Sequence, residues 1–209
     1  ARFLARRPSI RGAITFGLLD GDPDSAQIQL FDAEGLDMGE TQQRKLERVL
    51  QRQEFRRSMS SEVGDIDIAS RAVERYALAL GEIVDVKRIE AAHFKAVIDY
   101  SCGLTATVLP NVLSRFGADV LGVNPFVSTK GAIEHDFNGQ ARRVADLVRS
   151  SGADLGAVSD PTGERIVAID DHGRILSHHE LALAMLYLLG ELGPYKAALR
   201  LNAPRAASE

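Results

Sequence analysis

Between residues 95 and 190, short β-rich runs alternate with longer helix-patterned stretches, and this alternation constrains the fold more than any other feature. Lys95-Ala-Val-Ile-Asp99, Asp119-Val-Leu-Gly-Val123, Leu155-Gly-Ala-Val158 and Arg165-Ile-Val-Ala-Ile169 read as strands. The stretches 105–116, 138–151 and 178–190 read as helices. Strands separated by helices build a sheet covered on both faces, because each crossover helix has to return across the sheet. Only a short turn joins the last two strands, and that length suits an antiparallel pair. The predicted class is therefore α/β: a mixed, mainly parallel sheet with helices on both faces, preceded by a small α+β segment.

That first segment opens with a predicted hairpin. Ala13-Ile-Thr-Phe-Gly-Leu18 and Ala26-Gln-Ile-Gln-Leu-Phe31 are joined by Asp20-Gly-Asp-Pro-Asp24, a strong turn signal. Gln27 and Gln29 alternate with Ile28 and Leu30, so one face of the hairpin is expected to be wet. A helix is predicted over 40–53, with Leu46, Val49 and Leu50 as its apolar stripe and Thr41 as its cap. A second is predicted over 69–80, carrying Val73, Tyr76, Ala77 and Leu80 on one face and stopped by Gly81. A boundary near 81–92 then divides the chain into 1–85, 92–192 and a loose tail over 193–209. No internal repeat is visible in the sequence.

Composition narrows the function classes. The chain of 209 residues carries a net charge of −4. Residues 1–90 hold 14 basic and 16 acidic side chains and residues 91–209 hold 11 and 13, so neither part is basic enough to suggest a nucleic-acid or membrane-surface partner. No apolar run approaches the roughly 20 residues of a transmembrane helix. Cys102 is the single cysteine, which precludes an internal disulfide and suits a reducing, cytoplasmic setting.

The chemistry-bearing motif is Ser159-Asp160-Pro161-Thr162-Gly163-Glu164-Arg165, placed between two predicted strands. It is followed by Asp170-Asp-His-Gly173-Arg-Ile-Leu176. Upstream lie Phe94-Lys-Ala-Val-Ile-Asp99-Tyr-Ser-Cys-Gly103, then Leu109-Pro110 with Leu113, Gly117-Ala118, Asn124 and Ala153-Asp-Leu-Gly156. In order and spacing over residues 94–190, these motifs resemble the second domain of the α-D-phosphohexomutases, the phosphomannomutase and phosphoglucomutase family. The family's metal loop reads D-G-D-x-D-R. Here Asp160 and Arg165 match it, Thr162 stands at the middle Asp and Glu164 at the last.

The resemblance implies a parent activity: transfer of phosphate between O1 and O6 of a hexose phosphate, with Mg²⁺ in the loop. Asp160 and Glu164 become the implied metal ligands and Arg165 an implied phosphate-binding residue. The departures weaken this. Mg²⁺ wants hard oxygen ligands in near-octahedral order. Thr162 offers only a hydroxyl, and Pro161 fixes φ where the family has glycine. The expected outcome is a turn that kept its shape and holds Mg²⁺ weakly or not at all. For Arg165, pairing with Asp160 or Glu164 is as good a reading as phosphate binding.

Residues 1–85 look like part of the family's first domain. The runs Ile28–Gly35, Arg44–Arg48, Glu54-Phe-Arg-Arg57 and Glu62-Val-Gly64 resemble a branch in which the mutase-like region follows a sugar-nucleotidyltransferase domain, as in mannose-1-phosphate guanylyltransferases. The family's serine phosphoryl-carrier loop, its sugar-reading E-x-S-G loop and its R-x-S-x-T-E-P loop do not occur in this sequence. The resemblance thus implies a mutase-like region of a sugar-nucleotide biosynthesis protein, degenerate and structural or regulatory in role. The alternative is a fragment of an active phosphomannomutase or phosphoglucomutase. The implied partners are other domains of a longer polypeptide, including a nucleotidyltransferase domain, with a sugar phosphate and self-association both compatible with the sequence.

Other candidates carry less. His93, His135, His172, His178 and His179 show no metal-ligand spacing. Arg44, Arg48 and Arg52 recur at helical spacing, but Glu40, Glu47 and Glu54 interleave with them, which predicts a solvated, ion-paired face. Ser101 and Cys102 follow a strand without a nucleophile-elbow pattern.

Overall fold

A computed structural model describes residues 1–19 and 22–193. It contains two compact units that divide between Tyr76 and Ala77. The division falls inside a helix, α3 (Ala72–Ile83), ahead of the 81–92 stretch that the sequence suggests. The predicted loose tail lies outside the described residues except for Gly193.

The first unit begins with one helical turn, α1 (Arg2–Ala5), and a hairpin of β1 (Ala13–Leu19) and β2 (Asp22–Phe31). The pair is antiparallel, with Phe16 opposite Ile28 and Ala13 opposite Phe31. Strand β2 reaches back to Asp22, so Asp22-Pro23-Asp24 belong to the strand and not to the predicted turn. The wet-face expectation also needs correction. Ile14, Phe16 and Ile28 share one face and are 58%, 75% and 59% exposed, whereas Thr15 and Gln29 on the other face are half-buried. Helix α2 (Glu40–Arg52) forms where predicted, but Gly39 is its N-cap and Thr41 lies within its first turn. None of its residues is buried, Leu46, Val49 and Leu50 included.

The second unit carries the predicted α/β sandwich. Its sheet has the order β4-β3-β5-β6, built from β3 (Lys95–Asp99), β4 (Asp119–Val123), β5 (Leu155–Ser159) and β6 (Ile166–Ile169). Strand β3 pairs in parallel with β4 and β5, and β5 pairs antiparallel with β6, as the short turn required. From β3 the chain moves outward to β4 through α5 (Leu109–Arg115), then back across β3 to β5 through α6 (Thr129–Ile133) and α7 (Phe137–Ser151). Right-handed crossovers in opposite directions place α5 and α7 on opposite faces. Helix α3 runs through Gly81, which does not stop it, and α4 (Val86–Ala92) occupies the expected linker.

Helix α7 organises the core. Asp136 caps it by accepting the Gly139 amide at 3.0 Å, and Gly152 ends it in the left-handed region at φ +64°. Its buried stripe of Ala141, Val144, Ala145 and Val148 packs on Val97, Val158 and Ile169. Gly156 permits this approach, since a Cβ there would stand 2.8 Å from Val148 Cγ2. Ala77, Val112 and Phe116 form a second cluster with Leu80, Val86 and Ile89. Helix α8 (His178–Leu192) starts from a capping box of Ser177 and Glu180.

A structural repeat that the sequence conceals links the two units. In each, a helix end, a hairpin, an Asp-x-x-Gly turn and a further helix follow in order. Phe31 and Ile169 close their hairpins, are 2% and 0% exposed, and make isolated bridges to Asp37 and Ile175. Asp32 Oδ1 accepts the Leu36 amide at 2.8 Å, and Asp170 Oδ1 accepts that of Arg174 at 2.8 Å. Gly35 and Gly173 have φ +74° and +73°. A Cβ on Gly35 would meet the Arg2 carbonyl at 2.5 Å and the Arg6 stem at 3.0 Å. On Gly173 it would meet the Ala145 carbonyl at 2.8 Å and the Arg149 stem at 2.7 Å. The helical turn α1 thus occupies, in its unit, the place of the last turns of α7.

Candidate functional site

The implied site lies at the carboxyl ends of the parallel strands, where open α/β sheets leave a crevice. Asp99 ends β3 and is fully buried. Its Oδ1 accepts the Ser101 amide at 2.8 Å, and Asn124 Nδ2 donates to both carboxylate oxygens at 2.9 and 3.1 Å. These bonds hold three non-glycine residues in the left-handed region: Ser101 (φ 49°), Cys102 (φ 53°) and Asn124 (φ 49°). Each such residue costs on the order of 1–2 kcal/mol, so the surrounding bonds must outweigh it. Ser101 Oγ is buried, donates to the Ser159 carbonyl at 2.6 Å and lies 3.1 Å from Gln140 Oε1. It has no histidine or other base as a partner in these contacts, and its hydroxyl is a strut between β5 and α7. Cys102 is buried, and burial, reinforced by the Asp99 charge, pushes its thiol up, which lowers its thiolate character.

The 159–165 loop is fastened to this turn. The Leu104 amide donates to the Pro161 carbonyl at 2.9 Å, and Thr105 and Ser159 share a hydroxyl–hydroxyl bond of 2.9 Å. A Cβ on Gly103 would stand 2.4 Å from the Pro161 backbone, so only glycine fits there. Within the loop, Asp160 Oδ1 accepts the Glu164 and Arg165 amides at 2.8 and 2.9 Å. Asp160 Oδ2 accepts the Thr162 hydroxyl at 2.6 Å. Among the described residues no buried side-chain nitrogen or oxygen lacks a hydrogen-bond partner.

As a Mg²⁺ cage this arrangement fits poorly. Both Asp160 oxygens already accept bonds from the loop itself, and the Thr162 hydroxyl is turned inward as a donor. Two carboxylates, Asp160 and Glu164, remain as ionisable oxygen ligands where the ion wants a charged, near-octahedral set. The loop places Asp160, Thr162, Glu164 and Arg165 together, as the sequence order implies. What sequence reasoning missed is the support beneath: Gln140, from the first turn of α7, reaches the Ser101 hydroxyl, and no local motif announces it.

The second turn is more highly charged. Asp170, Asp171 and His172 are the one group of three potential ligand residues close enough to share an ion among the described residues, although the histidine spacing suggested none. Asp170 is occupied as a turn acceptor for the His172 and Arg174 amides. Those backbone bonds, with the Arg174 guanidinium, hold its carboxyl below the usual range. The neighbouring Asp171 carboxylate, 2.7 Å away, raises the His172 imidazole. His178 and His179 are exposed in the first turn of α8. Of the arginine stripe of α2, Arg44 pairs with Glu40 and Arg52 with Glu54 at 3.7 Å, whereas Arg48 Nε donates to the Arg44 carbonyl at 3.3 Å and Glu47 accepts from Gln43.

Known proteins share this architecture. Residues 74–173 match the profile of phosphoglucomutase/phosphomannomutase, alpha/beta/alpha domain II. The chain is 30% identical over 165 residues to the "Probable phosphoglucosamine mutase" of Methanothermobacter thermautotrophicus, covering 78% of this chain and 36% of that protein. It is 24% identical over 194 residues to the phosphoglucosamine mutase of Methanococcus maripaludis, covering 90% and 42%. A Thermus thermophilus protein provisionally described as a phosphomannomutase superposes with a TM-score of 0.73 at 15% identity, over 91% of this chain and 43% of that one. A phosphoglucomutase/phosphomannomutase family protein of Burkholderia thailandensis gives 0.66 at 14% identity, over 88% and 39%. The second unit is thus an α/β/α domain of the phosphohexomutase type. These comparisons support the phosphohexomutase family for the chain, which spans about two fifths of the length of the curated relatives it matches.

Proposed function

We propose that this chain is a mutase-like region of a sugar-nucleotide biosynthesis protein, with a structural or regulatory role in place of phosphoryl transfer. The observation that carries this reading is the commitment of Asp160: its carboxylate closes the loop through the Glu164 and Arg165 amides and the Thr162 hydroxyl. In this reading residues 1–85 derive from a first mutase domain, residues 92–192 form the second, and the protein is cytoplasmic. A sugar-1-phosphate nucleotidyltransferase domain accompanies them in the same polypeptide. Arg165 and Glu164 then serve the turn, and Mg²⁺ binds weakly if at all.

The alternative is a fragment of a working mutase, favoured by relatives named as phosphoglucosamine mutases. If Mg²⁺ were held, Asp160 and Glu164 would hold it and Arg165 would stand beside the bound phosphate. The ion would supply charge stabilisation at the phosphoryl group. An assay separates the readings. The chain is incubated with glucosamine, glucose or mannose phosphates, the matching bisphosphate and Mg²⁺. No conversion above the enzyme-free control is expected. Turnover proportional to protein concentration and lost in Asp160→Ala would establish the alternative.

A further inference from the structure

Asn138 is the one asparagine of this chain that a glycine follows. The others precede Val112, Pro125 and Ala203. The difference is chemical. A backbone nitrogen can attack the side-chain amide of the asparagine before it, and glycine hinders that attack least. Pro125 has no amide N–H, and Val112 is branched at Cβ. Asn138 is also exposed, in the first turn of α7.

The structure shows what restrains the reaction. The Gly139 amide donates to Asp136 Oδ1 at 3.0 Å, and the Gln140 amide donates to the Asp136 carbonyl at 2.8 Å. The flanks are anchored, with Phe137 packed on the α7 core and Gln140 and Ala141 4% and 3% exposed. A helical backbone keeps the Gly139 nitrogen out of line with Asn138 Cγ, so ring closure requires the first turn to open. First-turn amides have no partner within their own helix. The Asp136 carboxylate is therefore the bond that opening has to break.

We infer that Asn138 is a site of spontaneous deamidation whose rate is set by the Asp136 cap. Hydroxide removes the Gly139 amide proton, and the nitrogen attacks Asn138 Cγ. The new Cγ–N bond forms as the Cγ–Nδ2 bond breaks. Nδ2 takes a proton from water and leaves as ammonia, which returns the hydroxide. Water then opens the succinimide ring. Attack at Cγ gives aspartate, and attack at the main-chain carbonyl carbon gives isoaspartate, whose backbone is longer by one carbon.

The isoaspartyl product bears on the candidate site. Its added carbon enters the chain just before Gln140, whose Oε1 lies 3.1 Å from Ser101 Oγ. Ser101 in turn donates to the Ser159 carbonyl at 2.6 Å. Lengthening the backbone there displaces Gln140 and slackens the 159–165 loop. The aspartyl product keeps the backbone length and places a carboxylate where the helix dipole favours it. None of this depends on whether the loop is active.

The test incubates the 209-residue chain in mildly alkaline buffer and follows residue 138 by peptide mapping, with aspartyl and isoaspartyl peptides separated by chromatography. Both products should accumulate, more slowly than in a free peptide spanning 133–143. Asp136→Ala should speed conversion roughly 2- to 30-fold, the factor equivalent to a cap worth about 0.5–2 kcal/mol. Amides of β3 and β5 should stay protected in that variant, which separates loss of the cap from unfolding. Asp136→Ser, which retains a capping oxygen, should convert near the native rate. The isoaspartyl fraction should show lower amide protection at 101–105 and 159–165, and Asn138→Asp should not. An Asn138 that stays intact in the native chain while the free peptide converts would overturn the site. Equal rates in the native chain and Asp136→Ala, or an Asp136→Ser variant as fast as Asp136→Ala, would overturn the role of the cap. Unchanged protection at 159–165 in the isoaspartyl fraction would overturn the link to the loop.

Discussion

At the residue scale, the contrast lies between Asp160 and Asp99. Both carboxylates sit at strand ends and both accept backbone amides, yet Asp99 is fully buried and Asp160 is partly open. Asp99 fixes the turn beneath the loop; Asp160 fixes the loop itself. Calorimetry should therefore detect no Mg²⁺ site tighter than about millimolar in the native chain, since the charged, near-octahedral ligand set is incomplete. Thr162→Asp with Glu164→Asp should tighten binding by restoring charge, and Asp160→Ala should abolish that gain. A sub-millimolar native site lost in Asp160→Ala would contradict the assignment. Gly103 gives a second prediction. Its missing side chain lets the Pro161 backbone approach, so Gly103→Ala should destabilise by about 1–3 kcal/mol or more in denaturant titration. Gly64→Ala, with nothing within 4 Å of the added carbon, should stay within about 0.5 kcal/mol.

At the element scale, α8 shows how a turn sets a helix. Arg174 donates from Nε to Asp170 at 3.1 Å and from Nη1 to Glu180 at 2.7 Å, joining the hairpin turn to the capping box. The Ser177 amide and hydroxyl, with Arg174, hold the Glu180 carboxyl below its usual range. Folded-state values depressed in this way make a contribution that is present above the ordinary carboxylate range and lost as pH falls through the folded value. The start of α8 should therefore loosen on acidification below about pH 4, read as lower protection at 178–182 once exchange is normalised to the intrinsic amide rate at each pH. Ser177→Ala should cost about 1 kcal/mol, and Glu180→Gln should flatten the acid dependence. If the protection factors at 178–182 do not change between pH 6 and pH 3, the network contributes nothing to the helix start.

At the scale of the molecule, two units repeat one strand–turn–helix scheme but bury it to different depths. In the second unit a four-stranded sheet closes around Val97, Val144 and Ile169, whereas in the first a ribbon and an unburied α2 leave apolar side chains open. Large exposed apolar patches mark interaction surfaces. The reading as an assembly region predicts the outcome of deleting residues 1–209 from the longer polypeptide. The sedimenting mass, the rate of nucleotide-sugar synthesis, or both should change. If neither changes, the structural role is wrong and an independent binding role takes its place. None of the described helices is long and apolar enough to cross a membrane.

The second unit was legible because its strands, helices and turns are spelled locally. Short β-rich runs alternate with helix-patterned stretches, and Asp170 and Gly173 mark the turn after the last strand where the structure has it. The antiparallel β5–β6 pair follows from a loop too short for a crossover. Local signals failed where the deciding contact is distant. The helix runs on through Gly81 where Ala77 and Leu80 on the preceding turn pack into the second cluster with Phe116, 35 positions beyond Gly81. Gln140 joins the site only because α7 crosses the sheet. The repeat leaves only a short trace in sequence, Asp32 to Gly35 and Asp170 to Gly173, because its other equivalences are backbone contacts, an Arg2 carbonyl against Gly35 and an Ala145 carbonyl against Gly173, which constrain a glycine but not the residues beside it. Residue order alone thus determined the α/β class and placed Asp160, Thr162, Glu164 and Arg165 in one turn. Only the tertiary structure decided what braces that turn, because Ser101 and Gln140, 39 positions apart, meet only where α7 packs on the sheet, whereas the Asp160 carboxylate is taken up by bonds within its own loop.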